Sequence, residues 1–89
     1  MYRLEVTSHA QRDLDSLADV DLERVVPAIR ALAAEPRPRG ARKVRGPIYR
    51  VRVGDWRVVY AVFDRDELVV VGRVARRSQR TYRDVDDLF

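Results

Sequence analysis

Cysteine is absent from this 89-residue chain, which excludes a disulfide framework and any thiolate metal site. That usage suits a reducing cytosol. Histidine occurs once, at His9, and the carboxylates do not converge in any ligand-like spacing. A metal cluster, a two-metal nuclease centre and a nucleophilic triad are therefore missing, as is a glycine-rich phosphate loop, and no cofactor is expected. No apolar run is long enough to cross a bilayer, and the opening MYRLEVTSH lacks the apolar centre of a signal peptide. The expected location is the cytoplasm, without membrane contact. Repeats, low-complexity tracts and linkers are lacking too, so residues 1–89 read as one domain with a modest core.

What the chain has in excess is arginine. A formal net charge of +4 points to nucleic acid or to an acidic protein partner. Of the 18 basic residues all but Lys43 are arginine, a bias that codon usage alone could produce. Location says more than number. Arg37, Arg39, Arg42, Lys43, Arg45, Arg50, Arg52 and Arg57 crowd a window whose only acid is Asp55.

Within and just beyond that window, Tyr49 to Val62 reads YRVRVGDWRVVYAV, two strands around a two-residue turn. Gly54 in the first loop position suits a type II′ hairpin, because glycine accepts positive φ. Counting outward pairs Val53 with Trp56, Arg52 with Arg57, Val51 with Val58, Arg50 with Val59 and Tyr49 with Tyr60. Side chains alternate across a strand. One face then carries Tyr49, Val51, Val53, Trp56, Val58 and Tyr60, and the other carries Arg50, Arg52 and Arg57. Like charges facing one another across a ladder are destabilising by a few tenths of a kcal/mol or more. A polyanionic partner is the best explanation for keeping them.

Around the hairpin, Tyr2–Val6 alternates as a short strand, and Ser8 with Gln11 fits a capping box for a helix to about Ala18. Asp19 or Asp21 can cap a second helix with Leu22, Val25, Val26, Ile29, Leu32 and Ala33 on its buried stripe. Pro27 lies too deep for a first-turn proline and should kink that helix or delay its start. Glu35 to Gly40 ends it, a turn near Asp64–Glu67 follows the hairpin, and Leu68–Ala75 is apolar enough to lie inside a sheet. The uniformity of that last run leaves the facing of Arg73 open. The expected architecture is α+β in the order βααβββ: a two-helix hairpin covers one face of an antiparallel sheet, and the other face is open and basic.

The order of elements, the P-R-P-x-G-A-x-K-V stretch from Pro36 to Val44, and the block from Tyr49 to Tyr60 together resemble the RelE/ParE superfamily of bacterial type II toxin–antitoxin toxins. The closing Arg73-Val74-Ala75-Arg76-Arg77, with Tyr82 shortly after, belongs to the same resemblance, which covers essentially the whole chain. The members most similar to this sequence are RelE-like ribosome-dependent endoribonucleases that cut mRNA in the ribosomal A site. The resemblance implies a cognate antitoxin and ribosome-bound mRNA as partners. It implies that Arg50 and Arg52 sit near the scissile phosphate, with roles for Arg57, for Arg76 or Arg77, and for Tyr82; counting from the strand favours Arg77. Arg42, Lys43 and Arg45 could follow the RNA backbone, with Arg76 if it is not the catalytic arginine, or could belong to an ordinary solvated connector.

The implied reaction is metal-independent attack of an RNA 2′-OH on its own 3′ phosphate. It needs a base, charge stabilisation for the phosphorane and an acid for the leaving oxygen. Guanidinium forks suit the middle task. Some relatives have lysine where Arg50 and Arg52 stand, and many have glycine followed by histidine or lysine at Ala75 and Arg76. An arginine cannot act as the base. Tyr82, a phenol among arginines, could shuttle a proton or stack on a base, or simply pack at the end of the sheet. His9 reads as an exposed first-turn residue, Asp55 as a turn residue, and Trp56 and Tyr60 as core. Two other functions stay open: a ParE-like inhibitor of DNA gyrase, and an RNA-binding module without catalysis.

Overall fold

Alternation and one glycine make the central hairpin. A computed structural model, which describes residues 1–77 and 89, reproduces the expected register pair for pair, from Val53 opposite Trp56 to Tyr49 opposite Tyr60. Gly54 has φ +61° while Asp55 has no positive φ. That combination is the type II′ turn, which needs a left-handed residue only in its first central position.

The elements in chain order are β1 (Arg3–Val6), α1 (Ser8–Asp15), α2 (Asp19–Ala31), β2 (Arg42–Arg45), β3 (Ile48–Val53), β4 (Trp56–Phe63) and β5 (Leu68–Arg76). They form one five-stranded sheet in the order β1-β5-β4-β3-β2. The α+β class and the helical hairpin on one face are as expected. The sheet differs in two respects. It is mixed, because β1 runs parallel to β5, with Arg3 beside Leu68 and Val6 beside Val71. It also gains an edge strand, β2, which pairs antiparallel with β3 through a bulge at Val44. An edge strand of sequence Arg-Lys-Val-Arg is an expected guard against unwanted pairing, since charge and a bulge both blunt an open edge.

The helix ends also depart from expectation. Thr7, not Ser8, caps α1: it is the extended residue at the end of β1, and its Oγ1 accepts from the Ala10 N–H at 3.2 Å. α1 stops at Asp15, three residues short of Ala18. Ala18 is the N-cap of α2, so Asp19 and Asp21 lie in the first turn, where they act on the helix dipole rather than as caps. Pro27 sits inside α2 without ending it. It is exposed, as is Glu23 one turn earlier, so water can take the carbonyl left without an amide partner.

Short β1 ends beside Val71, so the second half of β5 has a strand, β4, on one side only. The N-cap Thr7 and α1 supply partners on the open side. The Thr7 N–H donates to Val71 O at 3.0 Å, and the Asp13 carboxylate accepts the Val74 N–H at 2.9 Å. The core lies between helices and sheet and is built on Ala10, Leu14, Val25, Ile29, Leu32, Val58, Tyr60, Val69 and Val71. A smaller cluster on the other face joins Ile48, Val59 and Ala61 to Val44 and Phe63. That second face is therefore apolar at one end and cationic at the other.

Glu67 closes the turn between β4 and β5 at φ +48°, a left-handed conformation that disfavours any side chain. Glu67→Gly is expected to stabilise the fold by about 1 kcal/mol. A rise in the urea midpoint at unchanged slope would show it; no rise would mean that Glu67 makes a compensating contact.

Candidate nucleic-acid interface

Register places the arginines. Arg52 and Arg57 are cross-strand partners, and Arg57 pairs on its other side with Ala75. The next row of the same face runs Arg42, Arg50, Val59 and Arg73 across β2 to β5. Strands about 4.8 Å apart bring these guanidiniums within reach of one bound strand. Arg42 and Arg52 are exposed, whereas Arg50, Arg57 and Arg73 are half-buried. Nε of Arg57 is itself buried, so this charge is less hydrated than the exposed Arg42 and Arg52 and interacts more strongly with any phosphate that meets it. Nε of Arg52 makes a long approach, 3.5 Å, to the carbonyl of Gly54, which directs it toward the hairpin end.

The two arginines after Ala75 separate by register. Arg76 pairs with Trp56, and its guanidinium lies over the Trp56 ring at 4.9 Å, on the helix side. Arg77 follows the end of β5, and its N–H donates to Asp55 O at 2.8 Å, which ties its backbone to the turn between Arg52 and Arg57. Lys43 pairs with Tyr49 and so belongs to the helix side as well. Arg45 stands at the bulged end of β2, opposite Ile48. The structure thus brings together Arg42, Arg50, Arg52 and Arg57, ties the backbone of Arg77 to the neighbouring turn, and does not bring Lys43 or Arg76 to that group. Tyr82 and the acidic residues 84–87 lie outside the described residues. His9 is at the start of α1, 4.0 Å from Asp13 and part of no arginine row. Trp56 and Tyr60 pack with the core.

Arg37, one of the cations in the basic window, is engaged elsewhere. Its guanidinium makes two hydrogen bonds to Asp64, at 3.1 and 2.7 Å, and a third from Nε to the Tyr49 hydroxyl at 3.0 Å. The Tyr2 hydroxyl donates to the same carboxylate at 2.6 Å. Arg37 first, and Tyr2 second, hold the Asp64 carboxyl below its usual range. Beneath this staple Tyr49 stacks on Tyr60, ring centroids 6.0 Å apart, and the Tyr60 hydroxyl donates to Pro36 O at 2.7 Å. The connector after α2 is thereby fastened to the far end of the sheet, leaving the arginine rows to β2 through β5.

On the helix side, a groove of about 560 Å³ lies between β1, α1 and α2, walled by residues such as Leu4, Val6, Leu14, Leu22 and Val26. Among the described residues no group of three or more His, Asp or Glu side chains could hold a metal ion. None of their helices is long and apolar enough to cross a membrane.

The two-helix hairpin on a mixed sheet, with arginine rows on the opposite face, is the architecture against which the comparisons with known proteins are set. The profile of the family described as the ParE toxin of the type II toxin–antitoxin system parDE matches residues 4–81, and the chain belongs to that family. Among solved structures, the chain is similar to one in the RelBE2 toxin–antitoxin complex of Mycobacterium tuberculosis, at 31% identity and TM-score 0.75, covering 85% of this chain and 98% of that one. A chain of the archaeal RelE–RelB complex of Pyrococcus horikoshii shares 27% identity at TM-score 0.76, covering 89% and 98%. In the intact E. coli RelBE complex the likeness, 20% identity at TM-score 0.76 over 89% and 100%, shows the fold alone. The protein is a type II toxin of the RelE/ParE superfamily.

Proposed function

We propose that this toxin is an endoribonuclease that cuts mRNA in the ribosomal A site. The observation that carries the reading is the register that sets Arg50, Arg52 and Arg57 on one face, two of them in direct opposition. Sheet stability alone gives no reason to oppose two guanidiniums, whereas a phosphate chain does. In the proposed reaction Arg57 and Arg52 grip the non-bridging oxygens of the scissile phosphate. Arg50 and Arg77 hold the flanking backbone, and charge builds on the phosphorane within this cationic frame. Tyr82 is proposed to move the proton, since no arginine can. A cognate antitoxin, a partner of the kind present in the complexes of the relatives, is proposed to hold the toxin inactive by covering the open basic face or by displacing the C-terminal segment.

One observation favours a second reading. The matching family is described by its parDE members, so inhibition of DNA gyrase by protein contact is the alternative. Primer extension on translated message after induction separates the two. Cuts within A-site codons are expected; intact message together with gyrase-linked DNA breaks would overturn the nuclease in favour of the alternative.

A further inference from the structure

We propose that Arg73 is an additional phosphate ligand for the RNA strand, one that rests against Asp13 and exchanges that carboxylate for a backbone phosphate. The inference deepens the endoribonuclease reading and rests on it. Three observations lead to it. The first is position: a bulge at Gly72 shifts the register so that Arg73 pairs with Val59, in the row that already holds Arg50 and Arg42. Bulges re-aim side chains, and here the bulge sends a cation into the face that binds the polyanion.

The second is an unsatisfied donor. Nε of Arg73 is buried and has no hydrogen-bond partner among the described residues. A buried donor left in that state is costly, and a shift of the side chain that brings the guanidinium to a ligand oxygen would relieve it. The third is the weakness of the resting contact. The nearest carboxylate oxygen, Oδ2 of Asp13, stands 3.7 Å from Nε, too far for a hydrogen bond. That same oxygen already accepts the Val74 N–H at 2.9 Å. Asp13 therefore offsets the charge of Arg73 without occupying its donors. With side chains 30% and 19% exposed, the pair sits at the rim of the face, where a phosphate can reach the guanidinium. Arg50 and Arg73 lie two strand spacings apart, about 10 Å, so the two arginines would take different phosphates of one strand.

The test is single-turnover cleavage of a defined message on programmed ribosomes, with wild-type protein, Arg73→Gln, Arg73→Lys and Asp13→Asn compared across a salt series. Arg73→Gln is expected to raise the half-saturating concentration about tenfold, to leave the saturating rate within about twofold, and to reduce the salt slope by about 0.7. Arg73→Lys keeps the charge and is expected to retain the slope. Asp13→Asn keeps an oxygen for Val74 but removes the competing charge, so it is expected to lower the half-saturating concentration. Equal weakening by Asp13→Asn and Arg73→Gln would make the pair a structural unit and overturn the inference. Cleavage that depends on Arg57 but is unchanged in half-saturation and salt slope by Arg73→Gln would overturn it alone. Wild-type protein that leaves the message intact would remove the nuclease reading and this inference together.

Discussion

Arg57→Ala is expected to reduce A-site cleavage by about 10²- to 10³-fold, and growth inhibition with it, while the protein stays folded. The catalytic loss follows from its place between Arg52 and Ala75, at the centre of the row proposed to grip the scissile phosphate. The fold is expected to tolerate the change because β4 is paired on both sides, and because the substitution removes a like-charge opposition along with a half-buried side chain. Arg57→Lys keeps the charge and loses the planar fork, so it should recover only part of the rate. Thermal melting and primer extension on the same preparations check both halves. An unfolded variant would put the residue in the architecture, and undiminished toxicity would remove it from the reaction.

The largest loss of stability is expected from Tyr60→Ala, at about 3–5 kcal/mol. Tyr60 is fully buried, stacks on Tyr49 and donates to Pro36 O, so one ring joins the core to the connector that carries Arg37. Small domains hold only about 5–15 kcal/mol in total, so the variant should be close to unfolding at ordinary temperature. Tyr60→Phe keeps the ring and loses one hydrogen bond, for about 1 kcal/mol. Burial also pushes the Tyr60 phenol up to about 12. The folded state then holds this proton more tightly than the unfolded one, so the contribution is complete below pH 10 and is lost as pH rises toward 12. Denaturant titrations at pH 8 and pH 11 should show a fall in wild-type stability that is smaller in Tyr60→Phe, which keeps only the Tyr2 phenol raised by its hydrogen bond to Asp64; parallel behaviour would mean that the Tyr60 phenol is not the group responsible.

How much of this was legible in the sequence depended on whether the signal was local. The hairpin was legible to the residue because Gly54-Asp55 fixes the turn and strict alternation fixes the faces. The same parity put Tyr60 in the core. The partner of β1 was not legible, since alternation reports which way side chains point and not which strand lies alongside. Arg-Lys-Val-Arg carries too little apolar content to announce a strand, so β2 was missed. The uniform run Leu68–Ala75 hid the bulge at Gly72, and with it the facing of Arg73. Thr7 and Ser8 are both competent caps, and only the end of β1 decides between them. The Arg37–Asp64 pair joins residues 27 apart with no pattern to mark it. For the site, register was enough to group Arg50, Arg52 and Arg57. It could not warn that Lys43 and Arg76, close by in sequence, fall on the other side.

The parallel pairing of Arg3 with Leu68 has a consequence for how the molecule is made. β1 has no neighbouring strand until β5 leaves the ribosome, and contacts this distant in sequence close late. A nascent chain that stops before β5 has nowhere to seat its N-terminal segment and leaves β4 with a bare edge beside Arg57. Until β5 is in place, neither the first strand nor the central hairpin has its full set of neighbours.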